Sequence, residues 1–454
     1  MEKRIGKFAF ASMLFFSCVL RGWAENGQNF SGTLPVIYIQ TESPVNSKED
    51  YVSGSCYIDA MAEDEYQSLG TIDNQIPLQI KGQGNYTWKS FDKKPYHLKF
   101  DKKVDPLGMA KSRHFVLIAN ADDNLAFLRN TVGFELSRRI GLAYTPRQVP
   151  VEVVLNDDYI GLYMLTENIR VEQNRVNIEL QHDMENEPEY ITGGWLIEID
   201  NYGEEGQVVI SECNGQWLRF SMHSPEFLSA EQRSYITTLL EKTNTAIYSV
   251  DKNNQEWEKY IDIDSLARFY IVHEILDNIE SFHGSCYLHK QSGTDTKLIF
   301  GPVWDFGYSL QRSCNKLIFQ DVPLHQHWIS EIYMYPRFQK LVIELWSQFL
   351  KGENYNLNTY IDDFVSLIGE ASVCDYKRWP QYGTSNIEER KEEFKRCMIE
   401  KVTFLCDEWG GNVNDFIPPE NRICYSLNGQ KIIGSPAVPG IYVRDGKKYV
   451  ISRR

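Results

Sequence analysis

The stretch Gly301–Leu310, GPVWDFGYSL, places Asp305 behind an apolar run and directly ahead of Phe306 and Gly307. An Asp-Phe-Gly string can hold magnesium for phosphoryl transfer. That chemistry needs carboxylates for a divalent metal, cations for the phosphates and a positioned acid or base. The segment DNIESFHGSC upstream supplies Asp277, Glu280 and His283, and Glu280 lies 25 residues before Asp305. KKPYHLKF supplies Lys94 and Lys99 as cations that could touch phosphate. Taken singly, each has a plainer reading: Glu280 as a solvated loop carboxylate, the lysines as ordinary surface charges.

Ser285 follows Glu280 by five residues, the offset at which protein kinases place a catalytic Asp and a metal-binding Asn. The other kinase strings, G-x-G-x-x-G, Val-Ala-x-Lys and His-Arg-Asp, do not occur, and GQGN at Gly82–Asn85 reads as a plain turn. HEILD lacks the second histidine of a zincin helix, and no G-x-S-x-G elbow is present. Carboxylates abound, so residue types alone leave a glycosidase open, although no pair stands out for it.

The elements that must position these groups are legible as periodicities. LPVIYIQ, Tyr51–Ala60, Ile76–Lys81, KKPYHLKF and HFVLIAN read as strands. Asn124–Ile140 carries a helical stripe, Leu125, Leu128, Val132, Leu136 and Ile140, stopped by Gly141. Two alternating runs around Asn156-Asp157-Asp158 predict a hairpin. GGWLIEIDNY predicts a further strand. SCYLHK and KLIFGPVWDF predict a second hairpin that leaves Asp305 at a strand end. Residues 226–276 and 327–408 read as mostly helical. Pro418-Pro419 marks a linker, after which two short hairpins turn at Asn428-Gly429 and Asp445-Gly446.

With 454 residues, 42% hydrophobic and 13% aromatic, the chain can bury a large core and resembles no disordered composition. The net charge of −15 argues against nucleic-acid partners. Lys3, Arg4 and Lys7 before the apolar run Phe8–Leu20, with a small-x-small site ending at Ala24, predict a signal peptide over residues 1–24. Export to the periplasm, cell surface or extracellular space follows. Cys18 after Ser17 leaves a lipoprotein reading open. No later apolar run is long enough to span a membrane. Eight cysteines remain after the leader, none with Cys-x-x-Cys spacing, so neither a zinc site nor a disulfide framework is indicated.

Many segments together are familiar. LPVIYIQTE, PLQIKGQGNYTW, KKPYHLKFDKK, RHFVLIANADDNLAFLRN, ELSRRIGLAYTPR, VEVVLNDDYIGLYMLTENI, GGWLIEID and FGPVWDFGYSL, in this order, resemble the CotH kinase family from Leu34 to about Asp407. The resemblance implies an α+β, divergent protein-kinase-like fold: a β-rich N-terminal part, a helical C-terminal part and a short β-hairpin tail. The implied domain spans 34–410, with a tail over 420–454 that resembles sorting tails of surface-exported proteins. It also implies transfer of phosphate from ATP to Ser/Thr of a protein partner with Mg2+ or another divalent cation. Residue by residue, Asp305 falls on a metal-binding aspartate, Glu280 on a position usually held by aspartate, and Ser285 on the small polar position after it. Lys94 and Lys99 match the KKPYxLK lysines, Arg129 the LRN arginine beside Asp122 and Asp123, and Glu167 the carboxylate closing the hairpin, a partner for a lysine. Three residues depart from the pattern: Gln83 replaces arginine, Glu280 replaces aspartate, and Gly307 replaces a second aspartate. They motivate the alternative of a pseudokinase, or of a surface module binding glycan or protein on the same fold.

Overall fold

The computed structural model describes residues 30–61, 66–202, 206–211, 217–311, 315–320, 327–352, 356–416, 423–427, 429–433, 440–444 and 447–451. The expected leader, Cys213, Cys314, the Pro418-Pro419 linker and the turn residues Asn428, Asp445 and Gly446 lie outside them. The chain divides into two compact units. The first takes residues up to Asp122, Gln148–Glu167 and Leu367–Ser385; the second takes Asp123–Arg147, Asn168–Ser366 and Asn386 onward.

Seven strands build the first unit: β1 (Val36–Thr41), β2 (Val52–Asp59), β3 (Ile76–Gly82), β4 (Tyr96–Val104), β5 (Ser112–Ile118), β6 (Gln148–Leu155) and β7 (Asp158–Glu167). They close a barrel in the order β1-β2-β3-β4-β5-β7-β6. Alternate side chains point to opposite faces of a strand. Ile37 and Ile39, Ile80 and Leu98, Phe115 and Val151 therefore meet inside, each at most 1% exposed. Burying each such side chain stabilises by about 1.5–3 kcal/mol. The β6–β7 hairpin turns at Asn156 and Asp157, both with positive φ (52° and 65°), as the sequence predicts. The closing contact is a parallel pairing of β1 with β6, Val36 opposite Glu152, for which the sequence carries no local signal.

One long-range brace holds this unit. Asp375 Oδ1 accepts the Lys93 ammonium at 2.8 Å and the Leu162 N–H at 2.8 Å. Lys93 is 1% exposed and lies over the Tyr163 ring at 5.2 Å. Burial pushes the lysine pKa down, and the Asp375 charge opposes that. Gly161 makes the approach feasible: its φ is +109°, and a Cβ there would fall 2.2 Å from the Asp375 oxygen.

The second unit contains a five-stranded antiparallel sheet in the order β12-β11-β8-β10-β9. Its strands are β8 (Trp195–Ile199), β9 (Val208–Ser211), β10 (Trp217–Ser224), β11 (Cys286–Lys290) and β12 (Ile299–Phe300). The helices include α2 (Leu128–Ile140), α3 (Ala230–Ile247), α4 (Ile263–Ile275), α6 (Pro336–Lys351) and α8 (Ile387–Trp409), with α1 (Tyr86–Ser90) in the first unit and α5 (His327–Ile332) and α7 (Asn356–Arg378) completing the series. Side chains around the whole circumference of α4, among them Leu266, Phe269, Tyr270, Ile271 and Val272, are fully buried, the mark of a central core helix. Helix starts are capped as sequence chemistry dictates. Ser229 and Gln232 form a reciprocal box at α3, and Asp262 accepts from the Ser265 N–H at α4.

Two expectations shift. Helix α2 begins at Leu128, not Asn124, because the Asp123 carboxylate accepts the N–H groups of Leu125 (2.9 Å) and Arg129 (3.0 Å). That turn drives Ala126 and Phe127 to φ of 60°. Strand β12 ends at Phe300, so Asp305 lies five residues beyond it rather than at a strand end. Pro302 has no N–H to extend the ladder. After the second unit's helices, β13 (Ile423–Ser426), β14 (Lys431–Ile433), β15 (Gly440–Arg444) and β16 (Lys447–Ile451) join the two predicted hairpins into one sheet through β13–β15 pairing.

The fold is thus mixed α+β, β-rich towards the N-terminus and helical towards the C-terminus. Among the described residues no helix is long and apolar enough to cross a membrane. Cys56, Cys286, Cys374, Cys397, Cys406 and Cys424 are free thiols.

Candidate functional site

The second unit gathers Glu280, Ser285 and Asp305 around the carboxyl ends of β8 and α4. One side chain ties their loops together. Asn278, fully buried, donates from Nδ2 to the Asp305 carbonyl at 2.9 Å, and its Oδ1 accepts the Glu280 N–H at 3.4 Å. The same Nδ2 faces His273 Nδ1 at 3.2 Å.

Asp305 is held in a left-handed turn (φ 58°), a conformation that aspartate tolerates better than most residues. Phe306 anchors that turn. Its N–H donates to Asn130 Oδ1 at 3.1 Å, and its ring stacks on His273 with centroids 4.9 Å apart. Its ring also presses on α2 at Gly133, where a Cβ would lie 2.4 Å from it. Only glycine leaves that space.

Asp305 is solvent-exposed, yet the protein packed around its carboxyl pushes its pKa up. The Gly307 N–H, donating to Oδ1 at 3.1 Å, opposes this, and the Glu198 charge reinforces it. No cationic side chain among the described residues neutralises it. Gly307 therefore supplies Asp305 with a backbone donor where the family pattern has a carboxylate.

Glu198 on β8 is the neighbour that the motifs did not single out. It is 8% exposed, accepts the Ser285 N–H at 3.0 Å and meets His223 Nε2 at 2.7 Å. A charged residue inside the otherwise apolar WLIEI was the available signal. Ser285 itself sits at φ 53°, fixed by that bond.

The remaining candidates lie elsewhere in their units. In the first unit Lys94 donates to the Trp88 carbonyl at 2.6 Å and lies over that indole. Lys99 lies over the Tyr51 ring at 5.2 Å. Glu167, 3% exposed, accepts the Ala110 N–H at 3.0 Å. Leu98, Phe115 and Glu167 share one rung of the barrel, so Glu167 faces the interior and Lys99, one residue on, faces out. The expected pairing of Glu167 with Lys94 or Lys99 is not formed; each lysine is engaged with an aromatic ring instead. The deeply buried lysine is Lys93, which nothing in the sequence distinguishes from Lys94. In the second unit Arg129 is 3% exposed and turns to its own loop, reaching Asn124 at 3.0 Å and Asp123 at 3.9 Å. Asp277 is taken by Lys401 at 2.8 Å.

The description CotH kinase protein matches residues 78–405, well over half of the chain. The chain belongs to the CotH kinase family. The match covers the Lys94–Lys99 strand, the Asn278 tether and Asp305. No curated protein matches the chain.

The candidate site rests on a buried histidine, His273. Burial holds the His273 pKa down at about 3. The unfolded chain takes up this proton near pH 6.5 while the native state does not, so stability is full above that pH and falls as pH drops towards 3. At pH 5 the loss is about 2 kcal/mol. Guanidinium unfolding at pH 7 and pH 5 should show the wild type losing about that much more than a His273→Gln variant.

Proposed function

We propose that the chain is an exported CotH-type kinase of kinase-like fold, transferring the ATP γ-phosphate to a Ser or Thr hydroxyl of a protein. The observation that carries this reading is geometric: Asp305, an exposed carboxylate with no cationic side chain beside it among the described residues, is tethered through Asn278 to the loop of Glu280. Such a group gains from a bound cation. Asp305, Glu280 and the Ser285 hydroxyl fit Mg2+, which takes one or two carboxylates and completes its shell with water and substrate phosphates. Among the described residues no group of three or more His, Cys, Asp or Glu is placed to hold a metal ion. The metal would supply charge neutralisation at the transferred phosphoryl group.

Asp305 holds the phosphate side of that assembly. Glu280 orients the acceptor hydroxyl and takes its proton as the oxygen attacks the γ-phosphorus and the bond to the β–γ bridging oxygen breaks, releasing ADP. Lys94 and Lys99 remain the phosphate-side cations of this reading. A cation–π contact worth about 0.5–1 kcal/mol at an exposed site is readily exchanged for a charge-assisted phosphate bond. Export rests on the leader-like N-terminus, and it places the enzyme where ATP is scarce.

The experiment is transfer of label from γ-labelled ATP to protein, with and without chelator. Metal-dependent labelling of Ser or Thr supports the reading. Metal-dependent nucleotide binding without labelling turns it to a pseudokinase, which Gly307 in place of a carboxylate favours. No nucleotide binding rejects both.

A further inference from the structure

The barrel of the first unit carries a cavity of about 290 Å3 at the end where β6 turns into β7. Strand β7 runs from Asp158 at this end to Glu167 at the other, about 30 Å away at 3.3 Å per residue. The cavity is therefore remote from the hairpin carboxylate assigned to the nucleotide.

Its lining is mostly polar, with a smaller apolar part. Val45, Leu155 and Ile160 contribute the apolar part. Around them stand two carboxylates, Asp92 and Asp158, and two cations, Lys94 and Arg378. The formal charges cancel, so the lining favours neither a phosphate nor a lone ammonium.

The polar groups are tied down but not saturated. Asp158 accepts from Arg378 Nη2 at 2.8 Å, while Arg378 Nε donates to the Tyr159 carbonyl at 3.0 Å. Asp92 accepts from the Tyr382 hydroxyl at 3.2 Å, and Lys94 donates to the Trp88 carbonyl. A carboxylate has about four acceptor positions and an ammonium three donors, so each keeps capacity facing the cavity. The Asn46 amide makes no hydrogen bond among the described residues. Tyr96 is the sharpest feature. It is 8% exposed, lines the cavity, and its hydroxyl makes no hydrogen bond among the described residues. Burial and the Asp158 charge hold its pKa at about 12, so the hydroxyl keeps its proton and can both donate and accept. A hydroxyl open to the cavity in this way is free to pair with a ligand.

The geometry points to a neutral saccharide, one or two pyranose rings, as the occupant of this cavity. Hydroxyls that each donate and accept match a rim of alternating carboxylates, cations and amide. The C–H face of a ring matches the apolar floor. The volume lies at the lower bound of small-molecule sites, about 300 Å3, and admits little more than two rings. The inference rests on the first unit alone, and of the residues in the nucleotide reading it uses only Lys94.

The test is isothermal titration of the purified full chain with glucose, galactose, mannose, N-acetylglucosamine and their β-linked disaccharides, each to tens of millimolar. At least one is expected to bind. Tyr96→Phe, which removes only the hydroxyl oxygen, should weaken it about fivefold, the worth of one hydrogen bond. Asn46→Ala, at an exposed loop position, should weaken it without touching the core. Asp305→Asn should leave it unchanged even where nucleotide binding is lost. Thermal unfolding of both cavity variants separates loss of site from loss of fold. The proposal is overturned if no neutral sugar binds, if binding survives both substitutions, or if glycine or another zwitterionic amino acid binds here and no sugar does.

Discussion

Replacing Lys401 with methionine is expected to cost about 3–5 kcal/mol of stability. Lys401 on α8 is fully buried, and its ammonium meets Glu274 at 3.0 Å, Asp277 at 2.8 Å and the Lys316 carbonyl at 2.6 Å. Glu274 and Asp277 belong to α4 and the turn that leads to Glu280, so the trio pins α8 to the base of the candidate site. Methionine fills similar volume but leaves two carboxyl groups without their cation. Burial already pushes Glu274 upward, and Lys401 opposes it. Without the lysine its pKa rises further, so the folded variant binds a proton that the unfolded chain releases at neutral pH. The deficit should therefore be greatest near pH 7 and shrink as pH falls towards 5. Urea unfolding at the two pH values reads both effects. A loss below 1 kcal/mol, or one independent of pH, would show that the trio contributes little.

Asp305→Asn should leave the fold intact and lower phosphoryl transfer by about 100-fold or more. The substitution preserves size, the turn-forming side-chain oxygen and the bond from the Gly307 N–H, and it removes only the charge. Because surrounding protein disfavours that charge in the cation-free protein, the variant should be as stable as the wild type or slightly more so at neutral pH, and the difference should shrink as pH falls and the wild-type carboxyl takes up its proton. Metal-dependent ATP affinity should fall with transfer, since the lost interaction is with a cation and displacing a reacting group by about 1 Å alone costs about 100-fold. Unfolding of the variant at 25 °C would instead assign Asp305 a structural role.

Much of this could be read from residues. The alternation of VPVEVVL and DYIGLYML, with Asn156-Asp157 between them, fixes a hairpin because one slip would turn Val151 and Val153 to solvent. Barrel closure was hidden, because the β1–β6 pairing joins segments more than a hundred residues apart and adds no local pattern. At the candidate site, Asn278, which ties the loops of Glu280 and Asp305, looked like any polar loop residue in the sequence. Glu198 was marked by its place in an apolar strand. Lys93 and Lys94 are neighbours of one type. Only Asp375, nearly three hundred residues on, makes one a buried brace and leaves the other at a cavity rim. Where function depends on partners distant in sequence, residue type and period carry no information about which of two equal neighbours is used.

The central claim is that Asp305 and Glu280 share one divalent cation with the phosphates of ATP. It is tested most directly by diffraction from crystals grown with Mn2+ and a non-hydrolysable ATP analogue, using the anomalous signal of manganese. The expected result is a peak bonded to an Asp305 carboxylate oxygen at about 2.1 Å, with Glu280 on the same ion directly or through one water and a γ-phosphate oxygen opposite. A nucleotide bound elsewhere, or a manganese peak that involves neither carboxylate, would contradict it.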